Sequence, residues 1–415
     1  MTRLATPLYA LLIAAAVAAF LFWTAAPVTD GRLLASLNWA FDYDPLLYVD
    51  RWCRAGGLAI DGSDHLVWGR HPAALVVRPL CLGLTDLGLD PRAAAMLLAA
   101  AFSGLCAGAV FLFARTLRLH SADSALAALA FAVTAQPLFL GAIPESFGLA
   151  MLGIIGHFCL LARWSERPFP PRAATALSTV SNFGITLTNG MLVILSWIAT
   201  SAGRVSPKLW LRETTRTGLI SAALLLAPIL AVTIAYTPGV FADPLRSVRE
   251  FWWGVNIDNG APAPFLTVFA TFALYDYVAP GFTSLGIEGG AKTMLDFRAF
   301  SYGPLGLSAA AAWAALLALG IASALQDARR RLWLVCALWF GFNLLLHWHW
   351  QYRGSVYLYG AHPHFALFAL AIAALRPELA AWRRRLGRGL MLAFLLLAGA
   401  SNLGLYFRFI EAFTA

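Results

Sequence analysis

The chain has 415 residues, 60% hydrophobic and 12% charged, with a mean hydropathy of +0.71 and a formal net charge of +9. A soluble domain carries about twice that share of charge, so the composition excludes most soluble enzymes, disordered chains and nucleic-acid-binding domains. Long apolar runs such as 8–28 and 219–236 point to an all-α polytopic membrane protein rather than an outer-membrane barrel, whose strands alternate apolar and polar residues.

A span needs roughly 20 mostly apolar residues, and about eleven segments are expected to cross. They lie at 6–27, 92–114, 123–140, 147–163, 173–189, 190–203, 218–236, 304–325, 332–347, 361–375 and 389–410. The first run exceeds the h-region of a signal peptide and is followed by no small-x-small cleavage site, so a retained span is expected. The span at 173–189 carries Ser178, Ser181, Asn182, Thr186, Thr188 and Asn189 and is expected inside the bundle. With the N-terminus cytoplasmic, the inner connections hold most of the basic residues, among them Arg163, Arg167, Arg204, Arg329–Arg331 and Arg383–Arg385. That is the positive-inside pattern. Few acids fall on that side (Asp123, Glu166, Glu213, Asp327 and Glu378); the others gather outside.

The chain reads as a single membrane-embedded domain, 1–415, with no separate soluble domain. Its outer mass sits in a first extracytoplasmic loop, 28–91, and a second large segment, 237–303, both rich in aromatic residues. The five cysteines show no metal spacing, and a Cys53–Cys81 disulfide is the less favoured reading.

The first loop contains Phe41-Asp42-Tyr43-Asp44-Pro45-Leu46-Leu47-Tyr48. On an extended chain Asp42 and Asp44 point the same way. Such a pair can hold a hydroxyl, a divalent cation, or one of each. Asp44 before Pro45 also fits an N-cap with proline at the first helical position. The helix it opens is expected to lie flat at the interface, with Leu46, Val49 and Cys53 on one face. Capping accounts for Asp44 and leaves Asp42 without a structural role.

Further along, Arg70 and His71 suit contact with phosphate or sugar, or interfacial anchoring. Glu145, in the turn Ile143-Pro144-Glu145-Ser146, precedes a helix whose N-terminus favours an acid. An acid at membrane depth is equally a functional candidate. Trp252 and Trp253, beside Asn256 and Asp258, suit sugar stacking as well as an aromatic belt. His347, His349, His362 and His364 gather around Arg353, Tyr357 and Tyr359. A phosphate-binding lid of Arg353, Tyr357, Tyr359 and His362 is favoured over a zinc site; the plain alternative is an aromatic belt with satisfied histidines.

The acidic motif at 41–45, placed just after the first span and opening an interfacial helix, resembles that of the GT-C superfamily. These are integral-membrane glycosyltransferases that use polyprenyl-phosphate-linked sugar donors. The likeness extends to a GT-C-like layout of spans and two outer segments, without the large C-terminal soluble domain of many members. It implies transfer of a hexosyl or pentosyl group to an acceptor hydroxyl, with inversion, Asp44 or Asp42 being the general base and Glu145 a second acidic site. The departing phosphate needs a cation beside it, supplied by side chains or by a divalent Mg or Mn ion held at Asp42 and Asp44. The implied partners are a polyprenyl-phosphate sugar donor, a glycan, lipid or protein acceptor, and membrane lipid. The implied place is a bacterial inner membrane. A polytopic transporter of a small polar or lipid-linked solute is the rival reading; mid-span charges and internal repeats would mark it, and the sequence shows neither.

Overall fold

The computed structural model describes residues 5–30, 41, 45–54, 74–236, 264–287, 292–349 and 355–414. The expectations placed on Asp42, Asp44, Arg70, His71, Trp252, Trp253 and Arg353 lie outside the described residues.

Helix α1 (Ala5–Ala25) runs on through a 3-10 turn to Asp30. Helices α2 (Pro45–Cys53) and α3 (Ala74–Asp86) are short. A disulfide joins Cys53 to Cys81, with Cα atoms 5.0 Å apart, so the less favoured reading of these cysteines is the observed one. Helix α4 (Pro91–Thr116) starts where Asp90 accepts the Arg92 N–H at 2.8 Å and Pro91 fills the first turn. Then come α5 (Ser121–Ala132), α6 (Ala135–Leu140), α7 (Ser146–Trp164), α8 (Arg172–Phe183), α9 (Gly190–Ser201) and α10 (Pro207–Tyr236). Helix α11 (Phe265–Ala270) passes into a π-helical turn, Thr271–Tyr275. Strands β1 (Phe282–Ile287) and β2 (Lys292–Phe297) form an antiparallel hairpin with Phe282 opposite Phe297. Helices α12 (Pro304–Leu325), α13 (Arg330–His349), α14 (Ala361–Ile372) and α15 (Ala381–Thr414) complete the described chain.

Six of these helices are long and apolar enough to cross a membrane: α1 with its 3-10 extension, α4, α7, α12, α13 and α15. This is a membrane protein with several apolar helices, but the expectation of about eleven spans is overturned. The run 123–140 is broken between α5 and α6. Pro137 lacks an N–H, and in an unbroken helix its ring would collide with the carbonyl four residues back, at Val133. Asn402 donates to that carbonyl at 2.8 Å. The expected spans 173–189 and 190–203 are α8 and α9, separate as expected but only twelve residues each. At 1.5 Å per residue each rises about 18 Å, well short of a hydrocarbon core of about 30 Å. The run 361–375 is α14 and a 3-10 turn, with every residue buried inside the protein. The run 218–236 is the C-terminal part of the thirty-residue α10. The hairpin adds strands to the second outer segment, where none were expected. A hydropathy window sums over such breaks without registering them.

Small residues set a close helix crossing. Gly104 and Gly108 of α4 face Ala10, Ala14 and Ala18 of α1. A Cβ on Gly104 would collide with the Ala14 carbonyl, and one on Gly108 would lie 2.7 Å from the Ala10 carbonyl. With no hydrophobic drive between helices in lipid, such close backbone approach supplies the attraction.

The basic end of the bundle is laced with ion pairs. Arg388 grips Asp123 through two bonds of 2.7 and 2.6 Å. Arg376 meets Asp327 at 2.8 Å with both side chains buried, and Trp333 Nε1 donates to the same carboxylate. Arg172 donates to Glu213. Four acids from the sparse inner set, Asp123, Glu213, Asp327 and Glu378, therefore sit against arginines. They hold helix ends together.

Alanine at Gly104 should lower the unfolding temperature in detergent, its Cβ costing about 1–3 kcal/mol of overpacking. Alanine at Gly156, where nothing lies within 4 Å, should leave it unchanged or raise it, since alanine favours helix by up to about 1 kcal/mol. Equal behaviour of the two variants would contradict the close crossing.

Candidate functional site

At the end opposite those ion pairs, short polar connections converge with aromatic rings. The 3-10 turn Val356–Tyr359 is fixed from two sides. Ser355 Oγ accepts the Tyr357 N–H at 3.1 Å and donates to Asp296 Oδ1 of β2 at 2.8 Å. The same carboxylate oxygen accepts the Phe297 N–H at 2.7 Å. Burial pushes the Asp296 carboxyl up to about 6, against the opposing effect of those bonds.

On the other side, Gln136 Nε2 donates to the Tyr357 carbonyl at 2.7 Å and to Asp276 Oδ1 at 3.1 Å, while its backbone N–H meets the Asp276 carbonyl. Gly360 passes over this knot. A Cβ there would strike both the Asp276 carboxylate and the Gln136 amide, so the position demands an absent side chain. Asp276 is fully buried, and burial holds its carboxyl well above the usual carboxylate range, partly offset by the Gln136 amide.

The residue before the acidic pair is locked into this frame. Phe41 is fully buried, with ring centroids 4.7 Å from Tyr357, 4.8 Å from Phe297 and 5.5 Å from Phe139. Its φ is +51°, a left-handed conformation uncommon for a bulky side chain and tolerated only where surrounding packing over-determines it. The aromatic box supplies that packing. The chain then continues into Asp42.

The helix after the acidic pair is held as well. Tyr48 of α2 places its hydroxyl 3.1 Å from Ser146 Oγ, and the disulfide ties the end of α2 to α3. Glu145, buried, caps α7 by accepting the Ser146 N–H at 2.7 Å. Phe147 then lies against His362, at 5.3 Å, and Tyr359, at 6.2 Å. His362 Nδ1 is 2.7 Å from Asn189 Oδ1. His347 stacks on Tyr359 at 4.4 Å and lies 6.3 Å from His362. Both of its ring nitrogens are buried and lack a hydrogen-bond partner among the described residues.

Of the candidates read from sequence, Glu145, Tyr357, Tyr359 and His362 therefore gather in one region, bordered by Phe41 and Tyr48 from either flank of the acidic pair. Glu145 takes the capping role expected of an acid at a helix start. Asn189, Gln136, Asp276 and Asp296 join the region. Asn189 stands in the polar run 173–189, and Asp276 stands between two tyrosines in the second outer segment. Gln136 and Asp296 carry no local signal. Among the described residues, no three of His, Cys, Asp and Glu cluster as a metal site would require; the carboxylates assigned to a divalent cation, Asp42 and Asp44, lie outside them.

Compared with known proteins, the chain matches no family model and no curated protein sequence.

The raised Asp296 carboxyl has a signed consequence. Between its unfolded value of 3.8 and about 6, the unfolded chain loses a proton that the folded chain keeps, so folding stability falls as pH rises through that window and levels off above it. The Asp296→Asn variant should show a smaller drop in unfolding temperature between pH 4 and pH 7 than the parent. An unchanged drop would show that the carboxyl does not titrate in that window.

Proposed function

We propose that the protein is a glycosyltransferase of the GT-C kind, moving a sugar from a polyprenyl-phosphate donor to an acceptor hydroxyl at the extracytoplasmic face of a bacterial inner membrane. One observation carries the reading. The residues flanking the acidic pair, Phe41 and Tyr48, dock on the same region as Glu145, Tyr357, Tyr359 and His362. The chain on either side of the pair is thereby tied to the aromatic and histidine-bearing turn, which supports the reading.

In the proposed reaction Asp44 or Asp42 accepts the proton of the acceptor hydroxyl. The oxygen forms a bond to the anomeric carbon as the bond from that carbon to the donor's phosphate oxygen breaks. The electron pair leaves with the polyprenyl phosphate, and the configuration inverts. Arg353, Arg70 and His71 are the proposed partners of the departing phosphate. Tyr357, Tyr359 and His362 shape the donor site, and Trp252 and Trp253 stack on sugar. Two further features support the orientation. The Cys53–Cys81 disulfide suits an oxidising compartment, and the arginine-rich connections lie at the other end, as the positive-inside pattern requires.

A transporter is the second reading. The breaks between α5 and α6 and between α8 and α9 favour it, since transporters place discontinuous helices around their substrate.

Asp44→Asn and Asp42→Asn separate the two. The base variant should lose transfer from a polyprenyl-phosphate sugar by about 10²–10⁴-fold while keeping its unfolding temperature. Full transfer by both folded variants would overturn the assignment, and solute uptake into proteoliposomes without any transfer would favour the transporter.

Orientation has its own test. With a membrane-impermeant maleimide on spheroplasts, Ser63→Cys should label directly and Arg330→Cys only after permeabilisation. The reverse pattern would overturn the orientation.

A further inference from the structure

A recess lies at the basic end, between α7, α8 and α9, away from the region just described. It is an open recess, with about 400 Å³ of space when the part open to its surroundings is counted. Its walls include Leu161, Trp164, Pro170, Val193 and Trp197. Its polar residues are turned on one another. His157, buried, has Nδ1 2.6 Å from Ser178 Oγ and Nε2 2.7 Å from Ser196 Oγ. With those hydroxyls engaged, the recess offers a visitor mostly hydrocarbon surface.

Beside the recess stand two arginines that form no ion pair among the described residues. Arg331 donates to the carbonyls of Ala199 and Thr200, and Thr200 also lines the recess. Arg204 donates to the carbonyls of Ser165 and Glu166. Gly203, at φ +70°, turns the chain so that the Arg204 N–H bonds the Ser201 carbonyl. This brings the two guanidinium groups close enough to act on each other as like charges. The bonds to helix C-terminal carbonyls explain part of each guanidinium, as capping by a cation does. They neutralise no charge, and each guanidinium has five N–H donors. Nearby carboxylates are engaged elsewhere: Glu213 with Arg172, Asp327 with Arg376, and Glu378 with Arg329 and Arg376. Among the described residues no ion pair joins Glu166 to either arginine.

We propose that this recess is a binding site for an anionic phospholipid of the adjacent leaflet, its acyl chain lying between Trp164, Pro170 and Trp197 and its phosphate resting on Arg204 and Arg331. Charge complementarity selects the headgroup, and the apolar lining selects a lipid over free phosphate. Basic pockets between membrane helices bind anionic headgroups by the same two forces. The site is independent of the glycosyl-transfer reading, since it shares no residue with that region.

The test uses the full chain, purified and delipidated in a non-ionic detergent, with lipid binding read by native mass spectrometry and thermal unfolding. Phosphatidylglycerol should bind and raise the unfolding temperature, phosphatidylcholine should bind more weakly, and inorganic phosphate alone should give no shift. Arg204→Gln, at an exposed position, should weaken phosphatidylglycerol about fivefold, and Arg204→Gln with Arg331→Gln about 25-fold. Val193→Phe, which fills the recess, should weaken it with both arginines intact. Equal binding of the two lipids, or unchanged phosphatidylglycerol binding in Arg204→Gln, would overturn the headgroup assignment. Unchanged binding in a folded Val193→Phe variant, or a full shift from inorganic phosphate alone, would overturn the place of the chain.

Discussion

Every backbone carbonyl and amide freed by a helix break in apolar surroundings must find another partner, and the rest of this structure depends on how that is done. The break after α5 is the main case. Pro137 cannot continue the helix, and Asn402 of α15 takes up the Val133 carbonyl. The same Asn402 side chain also donates to the Tyr277 carbonyl and accepts the Ala279 N–H. Thr134, at the break, reaches His364 of α14. One asparagine and one threonine thus tie three distant segments to the break, and the buried Gln136–Asp276–Tyr357 knot follows two residues further on. Removing such partners would leave polar groups unsatisfied where water cannot replace them.

That clamp gives the molecule two unlike ends. At one, charge is abundant and paired, and arginines fasten helix termini. At the other, the described residues Asp276 and Asp296 sit in hydrogen-bonded knots among aromatic rings. Tyr277 lies between Trp313, at 3.8 Å, and His364, at 4.5 Å, so the aromatic packing extends from the candidate region into the core. Rings add directional contact to burial, and this holds a strained residue such as Phe41 in place.

The readable part of the candidate region was the part with local chemistry. Glu145 stood before a helix, His362 stood in a run of histidines, and Tyr357 and Tyr359 flanked them. Gln136 was not readable, because nothing in Ala-Gln-Pro announces a buried amide. Asp296 looked like an ordinary acid in an outer segment, and its role depends on Ser355, 59 positions away. His347 was visible as one of four histidines, but its stacking on Tyr359 required the fold.

The sequence by itself determined that the protein belongs in a membrane and that its basic residues gather at particular connections. It also placed an acidic pair next to a helix start. Composition and charge spacing are sums over the chain, and they survive any arrangement of it. Only the tertiary structure decided which apolar runs are long helices, because a break such as that before Pro137 leaves mean hydropathy unchanged. It alone joined Cys53 to Cys81 and brought Phe41 to Tyr357, contacts that depend on chain reversals no local pattern encodes.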